Sequence, residues 1–165
     1  RSTPPAADAT QAGWHPRWKI YSRKYRRMLA STKTIAFVWW IPAEYFETAR
    51  SSVTTEFQGF RDNTVFGVAF AKIAPFGILD FSNWEKIKGA VTLRDADGTQ
   101  YTPMDRVPEE VRIPLEMMKP VFSASLGKLG ENIQFLVFPG KDQNGKRVAD
   151  LKGNRDFSVV QGIGR

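Results

Sequence analysis

The sequence predicts a single α+β domain, built on an antiparallel β-sheet or an Ig-like β-sandwich with about three packed helices. Two hairpin signatures, each an Asp- or Asn-Gly turn flanked by strand-forming residues, favour antiparallel pairing over a doubly wound parallel sheet. Other stretches place apolar residues at helical spacing. With 165 residues, 42% hydrophobic content, 12 Phe and 5 Trp, the chain can fill one core without a metal or a disulfide.

The chain divides into a leader and a globular part. Residues 1–13 are rich in Pro and Ala and are expected to be flexible, whereas residues 14–165 are expected to form one domain. Such a leader is typical of the segment that follows the cleavage site of an exported or lipid-anchored bacterial protein, or of a domain boundary. We favour the exported protein.

A basic amphipathic helix is predicted over residues 16–30, at the start of the domain. Large apolar residues recur there at helical spacing: Trp14, Trp18, Tyr21, Tyr25, Met28 and Leu29. At about 100° per residue they share one face, which we expect to pack on the body. Lys and Arg fill the remaining circumference: Arg17, Lys19, Arg23, Lys24, Arg26 and Arg27. Pro16 suits the first helical turn, where its missing N–H would be unpaired in any case.

The next predicted elements are a strand, a helix and a long strand. Residues 34–41 are β-branched and aromatic, which predicts a buried strand that Pro42 ends. A second helix is predicted to begin at Pro42, with one apolar face: Phe46, Ala49, Val53, Phe57 and Phe60. Residues 63–74 predict a long strand with small residues on one side, which indicates close approach by another layer.

The second half of the chain contains both hairpins and the longest predicted helix. The predicted elements are a turn at 75–77, strands at 90–94, 99–102, 133–138 and 157–160, hairpin turns at 95–98 and 141–146, and a helix at 108–130. The helix carries a regular apolar stripe: Val111, Leu115, Met118, Phe122, Leu126 and Leu129. Proline disrupts helices, so we expect a restart near Pro114 and a kink or break around Pro120.

The whole net charge of +7 lies in the first 33 residues, where eight Lys or Arg residues face a single acid. The remaining residues contain sixteen bases and sixteen acids. A neutral body does not attract nucleic acid, and aromatics opposite the cations cannot stack on bases while the cations bind phosphates. We therefore expect an unknown protein or an anionic surface as partner, with these candidate contacts: Arg23, Lys24, Arg26 and Arg27.

Catalytic and metal-binding residues are scarce. The chain has no Cys and a single histidine, His15, which argues against thiolate, Ser-His-Asp and His- or Cys-ligated metal chemistry. The turn at Asp95 and Asp97 lacks the later ligands of an EF-hand, because Arg106 stands where that motif has Glu. We interpret it as a hairpin turn and expect neither a metal nor a cofactor.

The sequence therefore favours a non-enzymatic exported bacterial domain, periplasmic or secreted, that serves binding or structure. A cytoplasmic location is the alternative. Two other functions stay open: association with a membrane surface through the basic aromatic helix, and hydrolysis by a carboxylate pair in a cleft between helix and sheet. No apolar run approaches the roughly eighteen residues that a membrane span requires.

Overall fold

The computed structural model describes residues 17–19, 26–43, 58–149 and 158–161. Within these ranges the strands are β1 (Arg17–Lys19), β2 (Arg26–Ala30), β3 (Thr34–Trp40), β4 (Asn63–Ile73), β5 (Leu79–Phe81), β6 (Val91–Arg94), β7 (Gln100–Tyr101), β8 (Gln134–Pro139) and β9 (Ser158–Gln161). The helices are α1 (Gly59–Asp62), α2 (Trp84–Ala90), α3 (Glu109–Leu126) and α4 (Lys128–Glu131), and a 3-10 turn covers Pro75–Gly77. The chain is a single α+β domain, as predicted.

The strands form two antiparallel sheets. In the larger sheet β2, β3 and β4 lie side by side, and the other side of β4 pairs with both β5 and β8. Strand β5 pairs with the Ile73 end of β4, and β8 pairs with its Asn63 end. The second sheet has the order β1-β9-β6-β7. These pairings confirm the prediction of antiparallel sheet.

Alternate residues of the larger sheet face two different cores. Even-numbered positions face the second sheet and form an inter-sheet core: Val38, Trp40, Phe66, Val68, Phe70, Leu136 and Phe138, with Val91 and Leu93 of β6. Odd-numbered positions face α3 and form a helix-side core: Phe37, Trp39, Val65, Ala69 and Val137, with Val111, Leu115 and Phe122. The domain therefore has three layers, sheet on sheet on helix, and the period-two pattern of each strand decides which residues fill which core.

The small residues of β4 lie on the face that turns toward α3, as the sequence indicated. Val65 and Ala69 belong to the helix-side core, and Gly67 lies between them. A Cβ atom added to Gly67 would lie 3.4 Å from the ring of Phe135, an ordinary van der Waals distance to the paired strand β8 of the same sheet. The predicted close approach by another layer therefore stays a prediction.

The outer edge of β8 is covered by polar groups from elsewhere in the chain. The indole Nε1–H of Trp84 donates to the carbonyl of Phe135 at 2.9 Å, and the backbone N–H of Met104 donates to the carbonyl of Val137 at 2.7 Å. Edge carbonyls without a partner could otherwise pair with a strand of another chain. Helix α2, which was not predicted from the sequence, is capped by Asn83, whose side chain accepts the N–H of Lys86 at 2.9 Å.

Helix α3 runs without a break from Glu109 to Leu126, although it contains Pro114 and Pro120. The predicted restart at Pro114 is therefore wrong, and the helix has no break at Pro120, whereas a kink there stays a prediction. Pro114 is itself buried with the residues that pack on the sheet, and burial of that face outweighs the backbone bonds that proline removes. The helix ends at Gly127, whose φ of 58° is a conformation that glycine adopts at little cost. Helix α4 then packs Gly130 against the backbone of Phe122.

The predicted N-terminal helix is wrong wherever the structure describes its residues. Arg17–Lys19 and Arg26–Ala30 are strands, and β2 pairs along its whole length with β3. The physical reason is that β3 is buried and needs partners for its backbone N–H and C=O groups, which a neighbouring strand supplies. In the turn that joins β2 to β3, Ser31 Oγ accepts the N–H groups of Lys33 and Thr34 at 3.2 and 3.0 Å, which is typical of a tight turn. Residues 20–25 lie outside the described residues.

The second predicted helix falls mostly on residues that the structure does not describe. Pro42 and Ala43 are not helical, residues 44–57 lie outside the described ranges, and Gly59–Asp62 forms the short helix α1 with Phe60 buried. The leader at 1–13 also lies outside them. The strands and turns predicted further along the chain are confirmed: β3, β4, β6, β7, β8, β9, the turn at 75–77 and both hairpin turns.

Candidate functional site

Two of the four predicted cationic contacts, Arg26 and Arg27, lie on strand β2 and not on a helix. Arg23 and Lys24 lie outside the described residues, so their prediction stays untested. Arg26 and Arg27 are consecutive positions of β2, opposite Trp39 and Val38 of β3.

Helix α3 carries a second apolar stripe, on the side that faces away from the sheet. This outer stripe consists of Ile113, Met117, Pro120, Val121 and Ala124, all exposed. Its three large members keep 50%, 72% and 59% of their surface accessible: Ile113, Met117 and Val121. The spacing of four residues aligns them along one side of the helix. The helix is therefore apolar on both sides, and only one side is covered within the described part of the chain.

Charged residues lie along one border of the outer stripe. Arg112 contacts Glu109 at 3.6 Å and Glu116 at 3.2 Å, both within the helix. Such exposed pairs contribute only a few tenths of a kcal/mol each. The N-terminal turn of α3 is acidic, with Glu109 and Glu110, whereas α4, which follows its C-terminal end, carries both Lys128 and Glu131. The outer stripe is therefore an apolar surface with a charged border.

The turn between β4 and β5 forms a second exposed apolar feature, which we name the apolar tip (75–78). Phe76 is fully exposed and Ile78 keeps 63% of its surface accessible. The φ of Phe76 is 66°, a left-handed conformation that side chains other than glycine rarely adopt. The turn is closed by two backbone bonds, from Ala74 N–H to the carbonyl of Ile78 at 2.7 Å and from Gly77 N–H to the carbonyl of Ala74 at 3.1 Å.

Three carboxylates meet where the two hairpin turns approach each other. One oxygen each from Asp95, Asp97 and Asp142 lies within 4.8 Å of the others. Asp95 is 7% exposed and its Oδ1 accepts the backbone N–H groups of Asp97 and Thr99, each at 3.0 Å. Its Oδ2 accepts the hydroxyl of Tyr101 at 3.0 Å. Neither turn carries a local sequence signal for the other, so their contact is a product of the fold and could not be predicted from the sequence.

The three carboxylates of this cluster affect the pKa of the nearby Tyr101 phenol. Burial raises the pKa of the Tyr101 phenol to about 12, and its hydrogen bond to Asp95 and the negative charges of Asp95, Asp142 and Asp97 contribute to the rise. The neutral phenol is favoured because its O–H is a donor to a carboxylate, and loss of that proton would add another negative charge. The arrangement suits a structural role for Asp95, which holds the β6–β7 turn and Tyr101 together.

We expect the melting temperature to be unaffected by EDTA or by added calcium. Both oxygens of Asp95 already accept hydrogen bonds, and Asp142 Oδ1 accepts the N–H groups of Asn144 and Lys146 at 2.8 and 2.9 Å. Thermal unfolding in low-salt buffer measures this directly. A calcium-induced rise in melting temperature that is absent in Asp97→Asn would contradict it, since that variant removes one carboxylate and leaves the Asp95 side chain in place.

The hydrolase alternative requires a carboxylate pair in a cleft between a helix and the sheet, and one such layer lies between α3 and the larger sheet. In the described ranges, the buried polar or charged residues are Thr64 and Asp95. Thr64 donates its hydroxyl to the carbonyl of Pro139 at 3.0 Å, and Asp95 lies at the hairpin cluster. The described part of the helix-side core therefore contains no buried carboxylate.

None of the helices in the described ranges is both long enough and apolar enough to cross a membrane. No family model, no curated protein and no solved structure matches the chain.

Proposed function

We propose that the chain is a non-enzymatic binding or structural domain, exported from a bacterial cell to the periplasm or the medium, that self-associates through the outer stripe of α3. The observation that carries the proposal is the exposure of Ile113, Met117 and Val121 along one side of a helix whose other side is already packed. Apolar stripes at this spacing pack against helices of the same kind. The absence of cysteine from the 165 residues is compatible with an exported chain.

The occupant we propose is the same helix of a second copy, in antiparallel orientation. A two-fold axis near the middle of α3 places Met117 beside Pro120 of the second copy and Ile113 beside its Ala124. The reverse contacts follow by symmetry. Antiparallel helices also oppose their dipoles favourably. The apolar stripe can thus pack against its own copy.

The expected affinity is modest. One helix face buries less than the roughly 800 Å² per partner that is usual in stable complexes. Full burial of a large apolar side chain contributes about 1.5–3 kcal/mol, of which association consumes a substantial part. We therefore expect a reversible dimer with a dissociation constant on the order of 10–100 μM, which matters wherever the domain is locally concentrated.

Sedimentation equilibrium of the purified chain over a range of concentrations tests the proposal. The wild type should dimerise, and Met117→Glu should remain monomeric because the two-fold axis places the new charges close together. Met28→Glu is the matched control, since Met28 is a comparably exposed methionine on β2, outside the outer stripe. A wild-type chain that stays monomeric, or a Met117→Glu variant that dimerises normally, would overturn the proposal.

A further inference from the structure

The apolar tip presents its side chains to solvent at a cost to the folded state. Four consecutive residues, Pro75, Phe76, Gly77 and Ile78, are exposed, and Phe76 makes no use of its ring in packing. Its left-handed φ of 66° adds backbone strain that Gly or Asn would relieve at the same position. Because the Phe76 ring is not buried within the fold, no packing energy offsets its exposure or the backbone strain.

The tip is also rigidly held. The bonds from Ala74 to Ile78 and from Gly77 to Ala74 close the turn, and the N–H of Ile73 donates to the carbonyl of Lys33 at 2.8 Å at its base. The Phe76 ring is therefore held outward before any contact is made, so that binding does not have to order this loop. The feature is convex, a shape that enters a soft apolar medium without needing a matching pocket.

Two lysines flank the base of the tip. Lys72 is exposed near the end of β4, and Lys33 is exposed in the turn that bonds to Ile73. Asp80 lies opposite Lys72 in the β4–β5 register, so the three residues leave one net positive charge beside the tip. Lys33 also belongs to the N-terminal 33 residues that hold the whole net charge of the chain.

We propose that the apolar tip inserts Phe76 and Ile78 into the headgroup region of an anionic lipid bilayer, with Lys33 and Lys72 at the lipid phosphates. Aromatic and aliphatic side chains next to cations are the combination that holds proteins at such surfaces. A short apolar insertion binds weakly by itself, and attraction between the lysines and the anionic headgroups supplies the second contribution. The site is separate from the outer stripe of α3, and either proposal can fail without the other.

Co-sedimentation with vesicles tests the insertion. The wild-type chain should bind vesicles of equal parts phosphatidylcholine and phosphatidylglycerol at low salt, and should bind phosphatidylcholine vesicles more weakly. Phe76→Asn should weaken binding about tenfold, in line with loss of one partly inserted aromatic side chain. Its melting temperature should equal or exceed that of the wild type, because Asn tolerates the left-handed conformation. Loss of binding together with retained or increased stability separates a surface role from a folding defect.

Two further variants complete the experiment. Met28→Asn makes the same kind of change at an exposed apolar residue outside both the tip and the outer stripe, and should bind anionic vesicles like the wild type. Exchange of both Lys33 and Lys72 for Gln should reduce binding to anionic vesicles and reduce its salt dependence. The proposal is overturned if the wild type binds neither vesicle, if Phe76→Asn binds normally, or if Met28→Asn loses as much binding as Phe76→Asn.

Discussion

Phe122→Ala is expected to lower the free energy of unfolding by about 3–5 kcal/mol. Phe122 is 3% exposed and lies between Trp39 and Phe135 in the helix-side core. Its ring meets Trp39 edge-on with 5.1 Å between centroids, and Phe135 at 5.7 Å in a tilted arrangement. Truncation removes apolar contact and two aromatic pairs, and it leaves a cavity that the packed sheet cannot close. Urea unfolding with an unchanged slope would measure the loss.

Val121→Ala is the matched control for that experiment. Val121 is the preceding residue of the same helix, yet 59% of its surface is exposed because it belongs to the outer stripe. Its truncation should change the free energy of unfolding by less than about 0.5 kcal/mol, as is usual for surface sites. Similar losses at the two positions would show that α3 does not pack with the orientation described.

Gly130→Ala is expected to lower the free energy of unfolding by about 3 kcal/mol, at the upper end of the usual cost of overpacking. A Cβ atom at this position would collide with the carbonyl group of Phe122, which is helix backbone and cannot rotate away. Helix propensity alone predicts the opposite sign, because Ala is favoured over Gly within a helix by about 1 kcal/mol. Thermal and urea unfolding of the variant decide which effect dominates.

Gly89→Ala provides the contrast, since it makes the same change in a helix where space is open. No atom lies within 4 Å of a Cβ built on Gly89 in α2. This variant should gain about 0.5–1 kcal/mol of stability from the lower entropy of its unfolded chain. If Gly130→Ala is as stable as Gly89→Ala, then α4 does not press against α3 as the structure describes.

The parts of the fold that the sequence predicted are those with a strong local signal. β-Branched and aromatic runs identified β3, β4 and β8, and the Asp-Gly and Asn-Gly turns identified the hairpins. The regular apolar stripe that begins at Val111 identified α3. The N-terminal prediction failed because helical spacing of large residues does not exclude a strand when a buried neighbour needs backbone partners. The prolines of α3 misled for a similar reason, since tertiary burial outweighed a local preference.

The candidate surfaces could be predicted only in part. Ile113, Met117 and Val121 have helical spacing in the sequence, but spacing alone does not tell which of two apolar stripes meets the sheet. The turn at Phe76 was predicted, whereas the outward position of its ring follows from how β4 and β5 end. The carboxylate cluster of Asp95 and Asp142 depends on contact between distant turns, which no local pattern encodes.

The position of β4 also determines the order in which the protein can be completed during synthesis. Its pairing with β3 and β5 uses segments that leave the ribosome close together, whereas β8 follows only after α2, β6, β7 and α3. A nascent chain that has paired β2 to β5 still lacks the covers of both faces, because β6 lies over one face and α3 over the other. The aromatic residues on both sides of this sheet then remain in contact with water until the second half of the chain arrives. The growing polypeptide is therefore most prone to aggregate in this interval, when a chaperone that shields apolar strands would be of greatest use.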